Sequence, residues 1–223
     1  MRIRRLPGAG WLVLVGGGEF SFGETLEADR AWMAKAPAGP VGFLPTASGS
    51  TDYGRHFATY LGDTFQREVR TIPIYRGRDA RRTKNLQRIE EMAAIYLGGG
   101  VTDHLLETLA ESPAAAALMR KLAGGGVVVG IAAAAQALGL QARSVFGGRA
   151  VPGLGWLPGG VVEPNFDPGH DRRLRQLLEA PGVEWGVGLP ASAAALLGPG
   201  DVIERVGTSF LLEDAEGDYQ FLQ

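Results

Sequence analysis

The stretch Val127-Val128-Val129-Gly130-Ile131-Ala132-Ala133-Ala134-Ala135 decides the fold. Three β-branched residues in a row suit a strand buried on both faces. Glycine permits a sharp turn, and a run of alanines favours a helix. Strand, sharp turn and helix in so short a space is the layout of a nucleophile elbow, where a strained turn pushes a Ser or Cys into a cleft. Here the tip is Ala132, and a methyl group has no proton to lose and no lone pair to attack with. Taken alone, the stretch reads more simply as a strand feeding an alanine-rich helix.

Outward from it, short apolar runs alternate with helix-length segments. The runs are Trp11–Val15, Val41–Leu44, Val69–Ile74, Ala94–Leu97 and Val127–Val129; between them lie Thr25–Lys35, Asp52–Phe65, Ala80–Glu91 and Thr102–Ala123. Each longer segment spaces its apolar residues three and four apart, and Pro113 breaks the last in two. Apolar strands separated by helices predict an α/β fold with a mostly parallel central sheet covered on both faces. From about Arg143 the texture changes to Gly- and Pro-punctuated strands: Ser144–Phe146, Val151–Val162, Val183–Gly188, Ala193–Leu197 and Ser209–Glu213, interrupted by a helix over His170–Ala180. This predicts a partly antiparallel C-terminal flank. No linker or repeat divides the 223 residues, so residues 1–223 read as one α/β domain.

Composition narrows the function classes. With no cysteine, disulfides, thiolate metal sites and cysteine nucleophiles are excluded. A net charge of −2 argues against a nucleic-acid partner, which would demand excess Lys and Arg. No stretch approaches the roughly 20 apolar residues of a membrane span. The apolar run near the start stops at Gly16-Gly17-Gly18-Glu19, so it reads as a first strand in a cytoplasmic protein rather than a signal peptide.

Ligands of open α/β sheets sit at the carboxyl ends of the strands, and the unusual residues of this chain fall there. Strand ends are marked by Gly16-Gly17-Gly18-Glu19-Phe20, Pro45-Thr46-Ala47-Ser48, Gly98-Gly99-Gly100 and the Ala132 turn. Ahead of a helix, Gly98-Gly99-Gly100 could form an anion nest or simply a tight turn. A dinucleotide fingerprint would need glycine where Ser21 stands, and no Gly-Lys-Ser/Thr occurs. His56, His104 and His170 have no metal-ligand spacing, so neither metal nor cofactor is expected. The basic run Arg76, Arg78, Arg81, Arg82, Lys84 and Arg88 is interleaved with Asp79, Glu90 and Glu91 and reads as a solvated loop and helix face.

Taken together, the segments resemble the peptidase E and cyanophycinase family of serine peptidases. Gly16-Gly17-Gly18-Glu19 resembles the family's first-strand end, and Phe43-Leu44-Pro45-Thr46-Ala47-Ser48 its second. Ile95-Tyr96-Leu97-Gly98-Gly99-Gly100 resembles the stretch that supplies an oxyanion-hole amide. Val128 to Ala135 resembles the Gly-x-Ser-Ala-Gly-Ala elbow. Val162-Glu163-Pro164-Asn165-Phe166 resembles the segment carrying the catalytic histidine, and Gly186-Val187-Gly188-Leu189-Pro190-Ala191 the stretch that holds the acid in cyanophycinases. The departures fall on the triad: Ala132 stands for the nucleophile, Asn165 for the base and Pro190-Ala191 for the acidic pair. In the peptidase E branch the acid lies about fifteen residues after the nucleophile, where Gly147 and Gly148 stand.

The resemblance implies a flavodoxin-like, glutamine amidotransferase-like fold, a homodimer, and an oxyanion-hole-like nest of backbone amides at Gly99 or Gly100 and Ala133. A triad acts as a unit, and an oxyanion hole alone leaves about 10³–10⁴-fold acceleration over water. The leading expectation is a non-catalytic homologue whose cleft binds a small anionic or peptide-like ligand, lined by Glu19, Thr46, Ser48, Thr102, Asp103, His104, Gln136, Glu163 and Asn165. One alternative is an active hydrolase with a relocated nucleophile, Ser48 or Thr102 with His104. Another is a structural or assembly subunit without pocket function.

Overall fold

The computed structural model describes residues 3–221. The chain runs β1 (Trp11–Val15), α1 (Leu26–Met33), β2 (Val41–Leu44), α2 (Thr51–Phe65), β3 (Val69–Thr71), α3 (Thr83–Glu91), β4 (Ala94–Leu97), α4 (Thr102–Leu109), α5 (Pro113–Ala123), β5 (Val127–Ile131) and α6 (Ala133–Ala137). Then follow β6 (Gln141–Arg143), β7 (Ala150–Pro152), β8 (Gly160–Pro164), α7 (Arg172–Leu178), β9 (Trp185–Leu189), β10 (Ala194–Leu197), β11 (Ile203–Val206), β12 (Phe210–Leu212) and β13 (Gln220–Phe221).

Seven strands form the central sheet in the order β11-β10-β1-β5-β4-β2-β3. β1, β5, β4, β2 and β3 run parallel, while β10 and β11 join antiparallel beyond β1. Alternation along each strand divides the core. Leu12, Leu14, Ile95, Leu97 and Val128 face Ile89 of α3 and Leu118 and Leu122 of α5. Val13, Val15, Phe43, Tyr96 and Val129 face Trp32 of α1 and Phe57 and Leu61 of α2. The mostly parallel sheet with helices on both faces is therefore present. A second sheet, β13-β12-β9-β8, holds β8 and β9 parallel and its other pairs antiparallel, and β6 with β7 forms a separate ribbon. No helix among the described residues is long and apolar enough to cross a membrane.

Several sequence-read elements are corrected. The strand expected over Ser144–Phe146 is a turn, because the Asp103 carboxylate accepts hydrogen bonds from the Ser144 hydroxyl at 2.6 Å and the Val145 amide at 2.9 Å. The strand lies just before it, in β6. The strand expected over Val151–Val162 is two, β7 and β8, separated by a segment whose Leu154 and Trp156 amides bond the carbonyls of Ala137 and Leu138. β3 stops at Thr71 rather than Ile74, ahead of Pro73, which has no amide for a ladder. The helix read over Ala80–Glu91 is interrupted at Arg82, whose backbone is extended at φ −76°, ψ 122°. The strand β11, not expected from sequence, covers the edge of β10.

Candidate functional site

β5 delivers Ala132 at φ 51°, ψ −116° between the strand and α6. That is the mirror image of ordinary extended backbone, so an L-residue held there costs about 1–3 kcal/mol, which only a constraining surround sustains. The surround is visible: the Ala132 amide donates to the Val15 carbonyl at 2.9 Å, and its carbonyl accepts from the Gln136 amide at 3.0 Å. The elbow backbone is thus built in full around a methyl side chain.

The end of β1 gathers the segments that carry Asn165 and Pro190-Ala191. Asn165 adopts a left-handed φ of 48°, a region asparagine tolerates, and its amide donates to the Gly16 carbonyl at 2.9 Å. Its side chain lies directly over Gly17, where a Cβ would stand 2.1 Å from the Asn165 Oδ1; with φ 155° as well, this position demands glycine. From the other side the Ser192 amide donates to the Gly17 carbonyl at 3.1 Å, and the Gly16 amide donates to the Ala193 carbonyl at 2.9 Å. Ala132, Asn165 and the Pro190-Ala191 turn therefore meet round one strand end, although they are distant in sequence.

Facing the elbow is the loop after β4. A Cβ on Gly99 would lie 3.5 Å from the Ala132 methyl, so the two turns lie close against each other. Gly100, at φ 149°, leaves no room for a side chain: a Cβ there would approach the Ala47 carbonyl carbon to 2.4 Å. The Gly99 amide is engaged by the Tyr53 hydroxyl. Burial, opposed by that hydrogen bond, pushes Tyr53 up to about 12, so the group is a neutral phenol with one proton of its own to give. Its ring packs 4.9 Å from Phe43 and 5.9 Å from Phe20, which ties the loop after β1 to α2. Ala133, the other expected nest position, is the first residue of α6, where an amide has no acceptor within the helix.

The remaining sequence-read candidates fall into two groups. Thr102, Gln136 and Glu163 are buried and linked to one another: Thr102 donates to the Gln136 side-chain carbonyl at 3.2 Å, and Gln136 donates to the Glu163 carboxylate at 3.1 Å. Arg143 lies 3.7 Å from the other Glu163 oxygen, and its own Nε is buried without a partner. Burial raises the Glu163 pKa, against the pull of Arg143, Arg173 and Gln136. Thr46 is also internal, donating to the Ile74 carbonyl at 2.8 Å. These side chains make a polar scaffold rather than an open cleft wall.

Glu19, Ser48, Asp103 and His104 lie nearer the surface. Glu19 caps the turn after β1 through the Ser21 amide and hydroxyl, while Ser48 donates to the Pro45 carbonyl at 3.2 Å. Although its partial burial works the other way, Asp103 is held below the usual carboxylate range by Ser144 and Val145. His104 and His56 are exposed, and His170 pairs with Asp167 at 2.7 Å. Among the described residues, then, neither Ser48 nor Thr102 is hydrogen-bonded to an imidazole, and no trio of His, Asp or Glu could hold a metal ion.

A family model describing peptidase family S51 matches residues 12–152, well over half of the chain. The chain belongs to peptidase family S51. The matched span includes the glycine turns after β1 and β4 and the Ala132 elbow, and it ends before Asn165 and Pro190. Among solved structures, this family S51 chain is similar to a peptidase from an acI-B1 Actinobacterium, with TM-score 0.75 and 23% identity over 97% of this chain and 96% of that one. It is also similar to a peptidase E-like protein from Listeria monocytogenes EGD-e, with TM-score 0.64 and 16% identity over 88% and 98%. At these identities the likeness is one of fold. No match is found among curated proteins.

Two participants escaped the sequence reading. Tyr53 sits in the first turn of α2, and nothing in its spacing signals that its hydroxyl reaches the loop after β4. Arg143 follows the elbow helix in a stretch with no motif, and its tie to Glu163 exists only once β6 lies beside β8.

Proposed function

We propose that this family S51 chain is a non-catalytic homologue of a serine peptidase, and that its elbow cleft binds a small anionic or peptide-like ligand. The observation that carries the reading is Ala132 itself: the strained elbow backbone is kept, while the tip is a methyl group that cannot attack a carbonyl. Round the same strand end stand Asn165, whose amide side chain is no general base at any working pH, and Pro190-Ala191, which cannot orient an imidazole. Loss of any one triad member costs orders of magnitude, and the members fail as a unit.

What such a cleft still offers is hydrogen-bond donation. The Gly99 amide reaches the Tyr53 oxygen, so its contribution to an anion is relayed through the phenol proton. The Ala133 amide supplies a second donor from the elbow side. A carboxylate between the two turns would be bound by neutral donors rather than by full charges.

The test is a thermal melt of the purified protein with increasing aspartate at constant ionic strength, beside Gly99→Trp, which fills the cleft. A saturable rise of several degrees at about a hundred times Kd is expected for the wild type, with none for Gly99→Trp. No rise, or equal rises in both, would overturn ligand binding at the elbow.

A further inference from the structure

Half of the basic run that the sequence presents as a solvated face meets, in the folded chain, at a cavity of about 380 Å³ beside the end of β2. Arg76, Arg78 and Arg82 line it together with Thr51 at the start of α2 and Tyr75, and Asp79 is the single carboxylate present. We propose that this cavity is an anion site, separate from the elbow cleft, that takes a phosphate or carboxylate group of a ligand.

Charge balance is the first support. Three guanidiniums face one carboxylate, in a chain whose net charge is −2. Asp79 is 5% exposed and works from beneath: one oxygen accepts the Tyr75 amide at 3.3 Å, and the other lies 3.4 Å from Arg82 and 3.8 Å from Arg78. It pairs loosely with those two, whose side chains are more than half exposed, and does not neutralise the third. Arg76 makes no ion pair among the described residues, so its planar fork is available for bidentate contact with an oxyanion.

Preorganisation is the second. The Asp79 amide donates to the Arg76 carbonyl at 2.8 Å, and the buried Asn85 side chain donates to the carbonyls of Pro73 and Asp79 at 3.2 and 3.0 Å. Thr46 fastens the same segment to the end of β2 through the Ile74 carbonyl. The backbone of residues 73–82 is thus held in place, so a ligand would have to order only the arginine side chains on binding. The position is the third support. The Gly49–Thr51 wall of the cavity continues directly from Ala47 and Ser48, whose backbone packs against Gly100 on the elbow side. Both sites therefore lie on the rim where an open α/β sheet places its ligands.

Isothermal titration calorimetry with inorganic phosphate, and separately with succinate, at matched ionic strength tests the proposal. Gly99→Trp serves as the background, so that the elbow cleft contributes nothing. Saturable single-site binding is expected to survive in Gly99→Trp and to weaken at least tenfold in Arg76→Gln, with Arg76→Gln/Arg82→Gln weaker still. Arg149→Gln, which removes an exposed charge elsewhere, should leave it unchanged. Phosphate alone binding assigns the site to phosphorylated ligands, and succinate alone to carboxylates; either supports an anion site. Absence of saturable heat with both, or equal binding by Arg76→Gln and Arg149→Gln, would overturn it, whatever the aspartate melts show for the elbow.

Discussion

Two polar groupings are buried on opposite sides of the central sheet, and they are finished to different degrees. On the side covered by α1 and α2, the Asp29 carboxylate accepts from Thr25 at 2.7 Å, from Trp32 at 2.8 Å and from Tyr60 at 2.9 Å. Each of these three donors meets a carboxylate oxygen. Beneath the elbow on the other side, the chain Thr102–Gln136–Glu163 ends on Arg143 at 3.7 Å and leaves the Arg143 Nε buried and unpaired. The complete network behaves as scaffold. The incomplete one underlies the strained Ala132, held at φ 51°, ψ −116°. Strain and unmatched polarity of this kind are ordinarily held at working sites, where binding or catalysis gives them a use.

The largest effect is expected from removing the finished network. Asp29→Ala leaves the Thr25, Trp32 and Tyr60 donors without their acceptor in the interior, and a loss of about 3 kcal/mol or more is expected. Urea unfolding reads it directly, and a loss below about 1 kcal/mol would show that the cluster is not scaffold. On the elbow side the opposite sign is expected. Ala132→Gly moves a residue at φ 51°, ψ −116° into backbone that glycine adopts freely, which should stabilise by about 1 kcal/mol after glycine's own entropy is counted. A destabilised Ala132→Gly would mean that the elbow stores no strain.

The smallest effect concerns pH. Burial holds the folded-state pKa of Glu163 above the unfolded value, so between the two the folded protein keeps a proton that the unfolded chain has released. Stability then falls as pH rises from about 4 through that interval, because the unfolded state binds fewer protons. Glu163→Gln removes this contribution, and its melting temperature should fall less steeply than the wild type's across the same window. An identical slope would place the ionisation of Glu163 at its unfolded value.

The fold was legible wherever burial on both faces left a strong local signature. Trp11–Val15, Val41–Leu44 and Ala94–Leu97 are strands with the bounds their apolar runs suggest, and Pro113 opens α5 where it was expected to break a helix. Legibility failed where a distant group decides the conformation. Ser144 and Val145 look like strand residues until Asp103 captures them, and Arg82 looks helical until Asp79 and Asn85 fix the loop before it. The gathering of Ala132, Asn165 and Pro190-Ala191 was readable only through family resemblance, since nothing local brings residues so far apart to one strand end. Tyr53 and the converging arginines were not readable at all, because a hydroxyl's reach and the shape of a cavity are properties of packing.

The proposed loss of catalysis stands or falls on the absence of turnover. Purified protein incubated with the substrates that the resemblance implies, Asp-initiated dipeptides and cyanophycin, and read by mass spectrometry, tests it beside Gly99→Trp and Ala132→Ser. No product is expected from any of the three, since a serine restored at the tip still faces Asn165 and Ala191 in place of a base and an acid. Product formed by the wild type and lost in Gly99→Trp would contradict the account, because the elbow cleft would then be catalysing hydrolysis without the triad.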